Sequence, residues 1–199
     1  MHRTSIVHLK RADDVLARVI TRVGPCRFRP RTTGTHFDAL FRSIVYQQLS
    51  GKAAGTILDR VLALYGGRYP RAAQFLETAD DALRGAGLSR QKLTYLRDLA
   101  TKVDSGELPL ARVGRMADDE VITHLTHVKG IGRWTAQMFL IFRLGRPDVL
   151  PELDLGIQAA IQRAYGLADR PAPADVLRIG ETWRPHATVA SWYLWRSLE

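Results

Sequence analysis

Two short stretches of this chain hold residue types whose spacing could do chemistry. The first is Leu125-Thr126-His127-Val128-Lys129-Gly130-Ile131-Gly132-Arg133-Trp134-Thr135-Ala136. A short helix ends there, two glycines make a tight turn, and a second helix starts at once. Glycines let backbone N–H groups come close to an anion, and the new helix adds the positive end of its dipole. A phosphate fits such a place without any side chain. The same pattern also describes an ordinary glycine turn between core helices. The second stretch is Pro151-Glu152-Leu153-Asp154-Leu155-Gly156-Ile157, where Asp154 opens an apolar helix. An aspartate at that point caps the helix start. A carboxylate anchored and partly desolvated there also suits a developing cation. On residue types alone, both readings stay open for each stretch.

The elements that must position these residues are helical almost throughout. Helical spacing or a start signal marks Asp13 to Val23, then Phe37, Leu40, Phe41, Ile44 and Val45, then Ile57 to Tyr65, which Gly66-Gly67 stops. Further helices are expected over Thr78 to Arg84, from Ser89 to Lys102, over Asp118 to Thr126, Trp134 to Arg143, Asp154 to Tyr165, after Pro171 and Pro173, and over Thr182 to Leu198. Between the first two lies a basic loop, Arg27-Phe28-Arg29-Pro30-Arg31. No run alternates as a strand does. The expected fold class is all-α, with roughly ten or more short helices. Nothing repeats, and no long linker divides the chain.

Composition narrows the function classes. With 46% hydrophobic residues the chain can bury a core and is not a disordered tail. No apolar run approaches the ~20 residues a membrane helix needs, and Met1 to Arg11 does not read as a secretion signal. The single cysteine, Cys26, makes an internal disulfide impossible and excludes a cysteine-held iron–sulfur cluster or zinc finger within the chain. It fits a reducing cytoplasm. Lys plus Arg number 29 against 20 Asp plus Glu, so the net charge is +9, and the excess suggests an anionic partner. A merely soluble basic protein would also show it.

Taken together, the two-glycine hairpin and the aspartate that follows it after a proline resemble the helix-hairpin-helix DNA glycosylase superfamily. The likeness covers roughly Phe37 to Trp195. Phe37 to Ser50 looks like that family's duplex-probing segment. Gly87-Leu88-Ser89 with Lys92 and Tyr95-Leu96 matches a second stretch, and Trp183-Arg184-Pro185 with the aromatic C-terminal helix resembles the DNA-3-methyladenine glycosylase II branch. That branch often carries an N-terminal β-rich domain, so the resemblance is to a minimal, all-helical form. It implies two packed helical lobes with the active-site cleft between them. One lobe spans about 36–127 and the other 1–35 plus 128–199, in a single unit of 1–199 with hairpin 125–136 at the junction.

The resemblance implies a role for each matching residue. Asp154 is the catalytic carboxylate. Trp134, Trp195 and Met138 line the base pocket, with Met138 standing where the branch can supply a tyrosine. Electron-rich indoles favour cationic alkylated bases. Gln48, and after it Gln47, is the wedge that fills the gap left by a flipped base. Gly130, Gly132, Arg133, Thr135 and Lys52 bind phosphates, and Arg143 could add a contact. Backbone carbonyls of Thr126, Val128 and Ile131 hold a monovalent cation, Na+ or K+, although Lys129 replaces the familiar proline of that turn. No other cofactor is implied. Strand-cleaving members carry a Schiff-base lysine where this chain has Trp134, so a water nucleophile and an intact abasic product are expected. The partner is double-stranded DNA with damaged bases, and the protein is expected to be a cytoplasmic monomer, nucleoid-associated in a bacterium. Trp183 and Trp192 are left to the core, and His186 is read as structural. Competing readings are a non-catalytic helix-hairpin-helix DNA-binding protein and a glycosylase for oxidised or mismatched bases.

Overall fold

The computed structural model describes residues 2–199. Among them there are twelve α-helices and no strand, so the all-α expectation holds. The chain forms two compact units.

One unit contains the residues up to Arg31 together with Leu140–Glu199. It begins with α1 (Arg3–Ala12) and α2 (Asp14–Val23). The sequence pattern marks only the second of these. α1 is mostly polar and buries Leu9 alone, so it owes its place to tertiary packing rather than to periodicity. After a five-residue π-helical turn, Leu140–Leu144, come α10 (Leu155–Tyr165), α11 (Pro173–Gly180) and α12 (Ala187–Arg196). Leu16, Val19 and Ile20 of α2 pack with Ile157, Ala160 and Ile161 of α10 and with Ala190, Tyr193 and Leu194 of α12. Trp183 is fully buried in this cluster and Trp192 packs against its edge, as expected of both. Asp13 ties the cluster together. Its carboxylate caps α2 through Leu16 N–H (2.9 Å) and accepts the Trp183 indole N–H (2.9 Å) and the Tyr165 hydroxyl. Burial, and then the neighbouring Asp13, push the Tyr165 phenol up, so it stays a donor.

The other unit is Thr32–Phe139. It holds α3 (His36–Tyr46), α4 (Gly51–Ala63), α5 (Ala72–Glu77), α6 (Asp80–Gly85), α7 (Arg90–Asp104), α8 (Asp118–Thr126) and α9 (Arg133–Phe139). Thr35 and Asp38 form a reciprocal capping box at the start of α3. The apolar face that follows, from Phe37 to Val45, is buried, and Phe41 meets Phe75 edge to face. The division differs from the expected lobes at both ends. Residues 128–139, assigned by sequence to the other lobe, belong here with the helices that precede the hairpin, and so do residues 32–35.

Candidate active site

Asp154 sits at the N-cap of α10, as its position before an apolar helix predicts. Its Oδ1 accepts two hydrogen bonds, from the Ile157 amide (2.8 Å) and from the Trp195 indole N–H (2.9 Å). The cap and the candidate catalytic carboxylate are therefore one arrangement. Gly156 eases the approach: a Cβ there would stand 3.3 Å from Trp195 Cδ1 and 3.0 Å from Asp154 Oδ1, a tight fit. Trp195 in turn stacks on Phe142, with centroids 5.7 Å apart and planes 27° from parallel. Asp154 is half-buried, while Leu153 and Leu155 beside it are exposed. An anionic oxygen held by two N–H donors at a helix start is pre-oriented, so little reorganisation is needed when positive charge develops nearby.

The Trp195 result changes the expected picture of that residue. One ring face is taken up by Phe142 and its N–H by Asp154, which leaves less of the indole for a base than the sequence reading supposes. The sequence does not single out Phe142. It lies in an apolar helix end and carries no local signal of this contact.

The hairpin belongs to the other unit. α8 ends at Thr126, Val128 N–H closes on Leu125 O (3.1 Å), and Ile131 N–H closes on Val128 O (3.0 Å). The helical ladder of α9 begins with Ala136 N–H donating to Gly132 O at 3.0 Å, which makes Gly132 its N-cap. The two glycines are needed for different reasons. Gly130 has φ +80° and lies against the Tyr95 ring, where a Cβ would come within 2.1 Å. Gly132 has nothing within 4 Å of where a Cβ would be. The fold therefore does not require glycine at 132, but an approaching phosphate would.

Three side chains hold the turn or the loop after α3. Asp98 accepts the Lys129 amide (2.9 Å), Gln47 donates its side-chain N–H to Gly130 O (2.8 Å), and Lys92 donates to Val45 O near the end of α3 (2.6 Å). Burial lowers the Lys92 pKa. These contacts give physical roles to Lys92 and Tyr95, which sequence could match to a family but not explain. Gln47, the second candidate for the wedge, has its amide tied to the hairpin. Gln48 is exposed and has the left-handed φ of +56°, and Leu49 beside it is also exposed.

The remaining predicted residues fall as follows. Trp134 is 42% exposed on the first turn of α9, and Met138, one turn on, is half-buried. Arg133 and Lys52 are exposed. Thr135 is buried on the first turn of α9. Val128 O already accepts one hydrogen bond in the turn, and a carbonyl has a second lone pair. Arg143 donates to Arg31 O (3.0 Å) within its own unit. His186 meets Ser5 Oγ through Nδ1 (3.1 Å) and the His8 ring edge-on at 5.1 Å, a packing role of the kind expected. Burial, then the charge of His8, lower its pKa.

A half-buried carboxylate fixed at a helix start and a two-glycine hairpin are the two marks of one class of DNA-repair protein. Residues 41–185 match the HhH-GPD superfamily of base excision DNA repair proteins, and the chain belongs to that family. It is 33% identical to DNA-3-methyladenine glycosylase 1 of Schizosaccharomyces pombe over 196 residues, covering 96% of this chain and 85% of that protein. It is 34% identical over 169 residues to the putative DNA-3-methyladenine glycosylase YfjP of Bacillus subtilis, covering 82% of this chain and 59% of that longer protein. The solved S. pombe 3-methyladenine DNA glycosylase in complex with abasic DNA superposes with a TM-score of 0.84 at 33% identity, over 96% of this chain and 95% of that one. Among the described residues, no helix is long and apolar enough to cross a membrane.

Proposed function

We propose that this chain is a monofunctional DNA glycosylase that takes alkylated bases of the 3-methyladenine type out of double-stranded DNA and hydrolyses their N-glycosidic bond. The observation that carries the reading is the Asp154 carboxylate, held by Ile157 N–H and the Trp195 indole N–H, in a chain whose relatives bear the name of that activity. The alkylated purine leaves with the bonding electron pair, and the sugar becomes oxocarbenium-like at C1′. Asp154 steadies that positive carbon. Water adds to C1′ and releases a proton, which leaves an intact abasic site. Trp134 offers an exposed indole face to a cationic base, worth about 0.5–2 kcal/mol. Gln48 fills the vacated place in the stack, and the hairpin start at Gly132 takes a backbone phosphate.

The reading includes a monomer that works in the cytoplasm. It also includes a monovalent cation on the hairpin carbonyls of Thr126, Val128 and Ile131, an oxygen set of the hard kind such ions prefer. That ion would stiffen the turn and take no part in the chemistry. The test is incubation with methylated duplex DNA and chromatography of the released bases. Release of 3-methyladenine is expected from the parent chain. Asp154→Asn should abolish release while DNA binding survives, and borohydride should trap no protein–DNA adduct. Near-normal release by Asp154→Asn would remove Asp154 from the site.

A further inference from the structure

The basic loop between α2 and α3 has no part in the chemistry above, yet its construction is regular. Arg27, Arg29 and Arg31 are exposed, while Phe28 is buried and Pro30 half-buried. Alternation with period two marks an extended backbone with side chains on opposite faces. The three guanidinium groups therefore leave one edge, at intervals of roughly 6–7 Å, comparable to the step between neighbouring phosphates of one strand.

The other face is pinned. Phe28 meets Phe142 edge to face at 5.9 Å, and its carbonyl bonds His2 Nε2 (3.0 Å). Arg31 N–H donates to Phe142 O (2.7 Å), and Arg143 donates to Arg31 O (3.0 Å). Pro30 lies so close to Gly145 that a Cβ there would come within 2.8 Å. Among the described residues, none of the three arginines forms an ion pair. Their backbone is fixed and their charges are left to solvent.

The position of this edge gives it a partner. Phe142, on which Phe28 is anchored, is also the ring on which Trp195 stacks, and Trp195 bonds Asp154. Two ring contacts and one hydrogen bond, all inside one unit, join the arginine edge to the candidate catalytic carboxylate. We propose that Arg27, Arg29 and Arg31 are a second phosphate-binding surface, separate from the hairpin, which grips the DNA strand beside the nucleotide presented to Asp154. Arginine suits this because its planar fork matches phosphate oxygens and stays charged at any working pH. The inference rests on the DNA-repair reading above.

The test is the full chain with Arg27, Arg29 and Arg31 all changed to Gln, bound to a duplex carrying an abasic-site analogue over a range of salt concentrations. A control triple variant, Arg22→Gln, Arg163→Gln and Arg170→Gln, removes the same charge from exposed positions of the same unit. Each lost phosphate contact should flatten the slope of log K against log salt by about 0.9, so the first triple variant is expected to lose about 2–3 from the slope. The control should keep both the parent slope and the parent excision rate. An unchanged slope in the first triple variant, or an equal change in the control, overturns the proposal. If the parent binds duplex DNA and releases bases normally, that failure is confined to the arginine edge. A parent that binds no DNA overturns the repair reading and this proposal with it.

Discussion

Trp195→Phe separates two roles that the structure superimposes on one residue. Phenylalanine keeps a ring to stack on Phe142 and removes only the N–H that meets Asp154 Oδ1 at 2.9 Å. The Ile157 amide, at 2.8 Å, still caps the carboxylate, so α10 should start where it does now. A hydrogen bond to a charged group is worth about 1.5–3 kcal/mol. Were all of it used in the transition state, the rate would fall roughly 10- to 150-fold. We expect a loss near the lower end, because one of the two donors remains. The assay is single-turnover release of 3-methyladenine with protein in excess, beside the affinity for an abasic-site duplex. The rate should drop about ten-fold or more while affinity stays within about two-fold. An unchanged rate would refute the positioning role. Equal losses of rate and affinity would instead make Trp195 part of the surface that binds the DNA backbone.

Other outcomes follow from the same geometry. Gly130→Ala forces a side chain into the left-handed region, at a cost of about 1–2 kcal/mol, and against the Tyr95 ring. Its Tm should fall by at least several degrees in a thermal scan. Gly132→Ala meets open space, so Tm should hold while affinity for abasic DNA falls. A loss of stability at 132, or none at 130, would reverse the two assignments. His186, with its pKa held below the ordinary 6.5 by burial and by His8 against an opposing pull from Asp148, binds protons less readily folded than unfolded. Its contribution to stability is therefore present above about pH 6.5 and lost as pH falls below it. His186→Gln should flatten the fall of stability between about pH 7 and 5 in denaturant melts, and an unaltered slope would exclude the effect.

What the sequence disclosed and what it concealed divide by the range of the interactions. The cap at Asp154, the capping box at Thr35 and Asp38, and the left-handed turn at Gly130 are local, and each can be read within a few residues of chain. α1 is not legible in the sequence because its helical pattern is mostly polar and its support comes from elsewhere in the unit. The contact of Gln47 is hidden from sequence for a related reason. Its amide pairs with a carbonyl 83 residues further on, and nothing near residue 47 marks that partner. The pairing of Phe142 with Trp195 is likewise a product of packing. Residue types could suggest that a tryptophan near the C-terminus stacks on something, but not on what.

The two readings of Asp154 that sequence leaves open turn out not to compete. Capping fixes Oδ1 on the Ile157 amide, and that fixation is what a carboxylate needs in order to meet a cation without first rearranging. The indole of Trp195 is bonded to the same oxygen, so two N–H donors converge on Oδ1. A residue serving only as a cap gains little from the second donor, because the cap is already complete with the first. The second donor, with Gly156 beside the indole and Phe142 stacked on it, fixes the orientation of the charge, and the proposed function gives that orientation a use. Under the proposed function that orientation serves the reaction, which makes Trp195→Phe, with the cap left intact, a sharper test of the site than any change at Asp154.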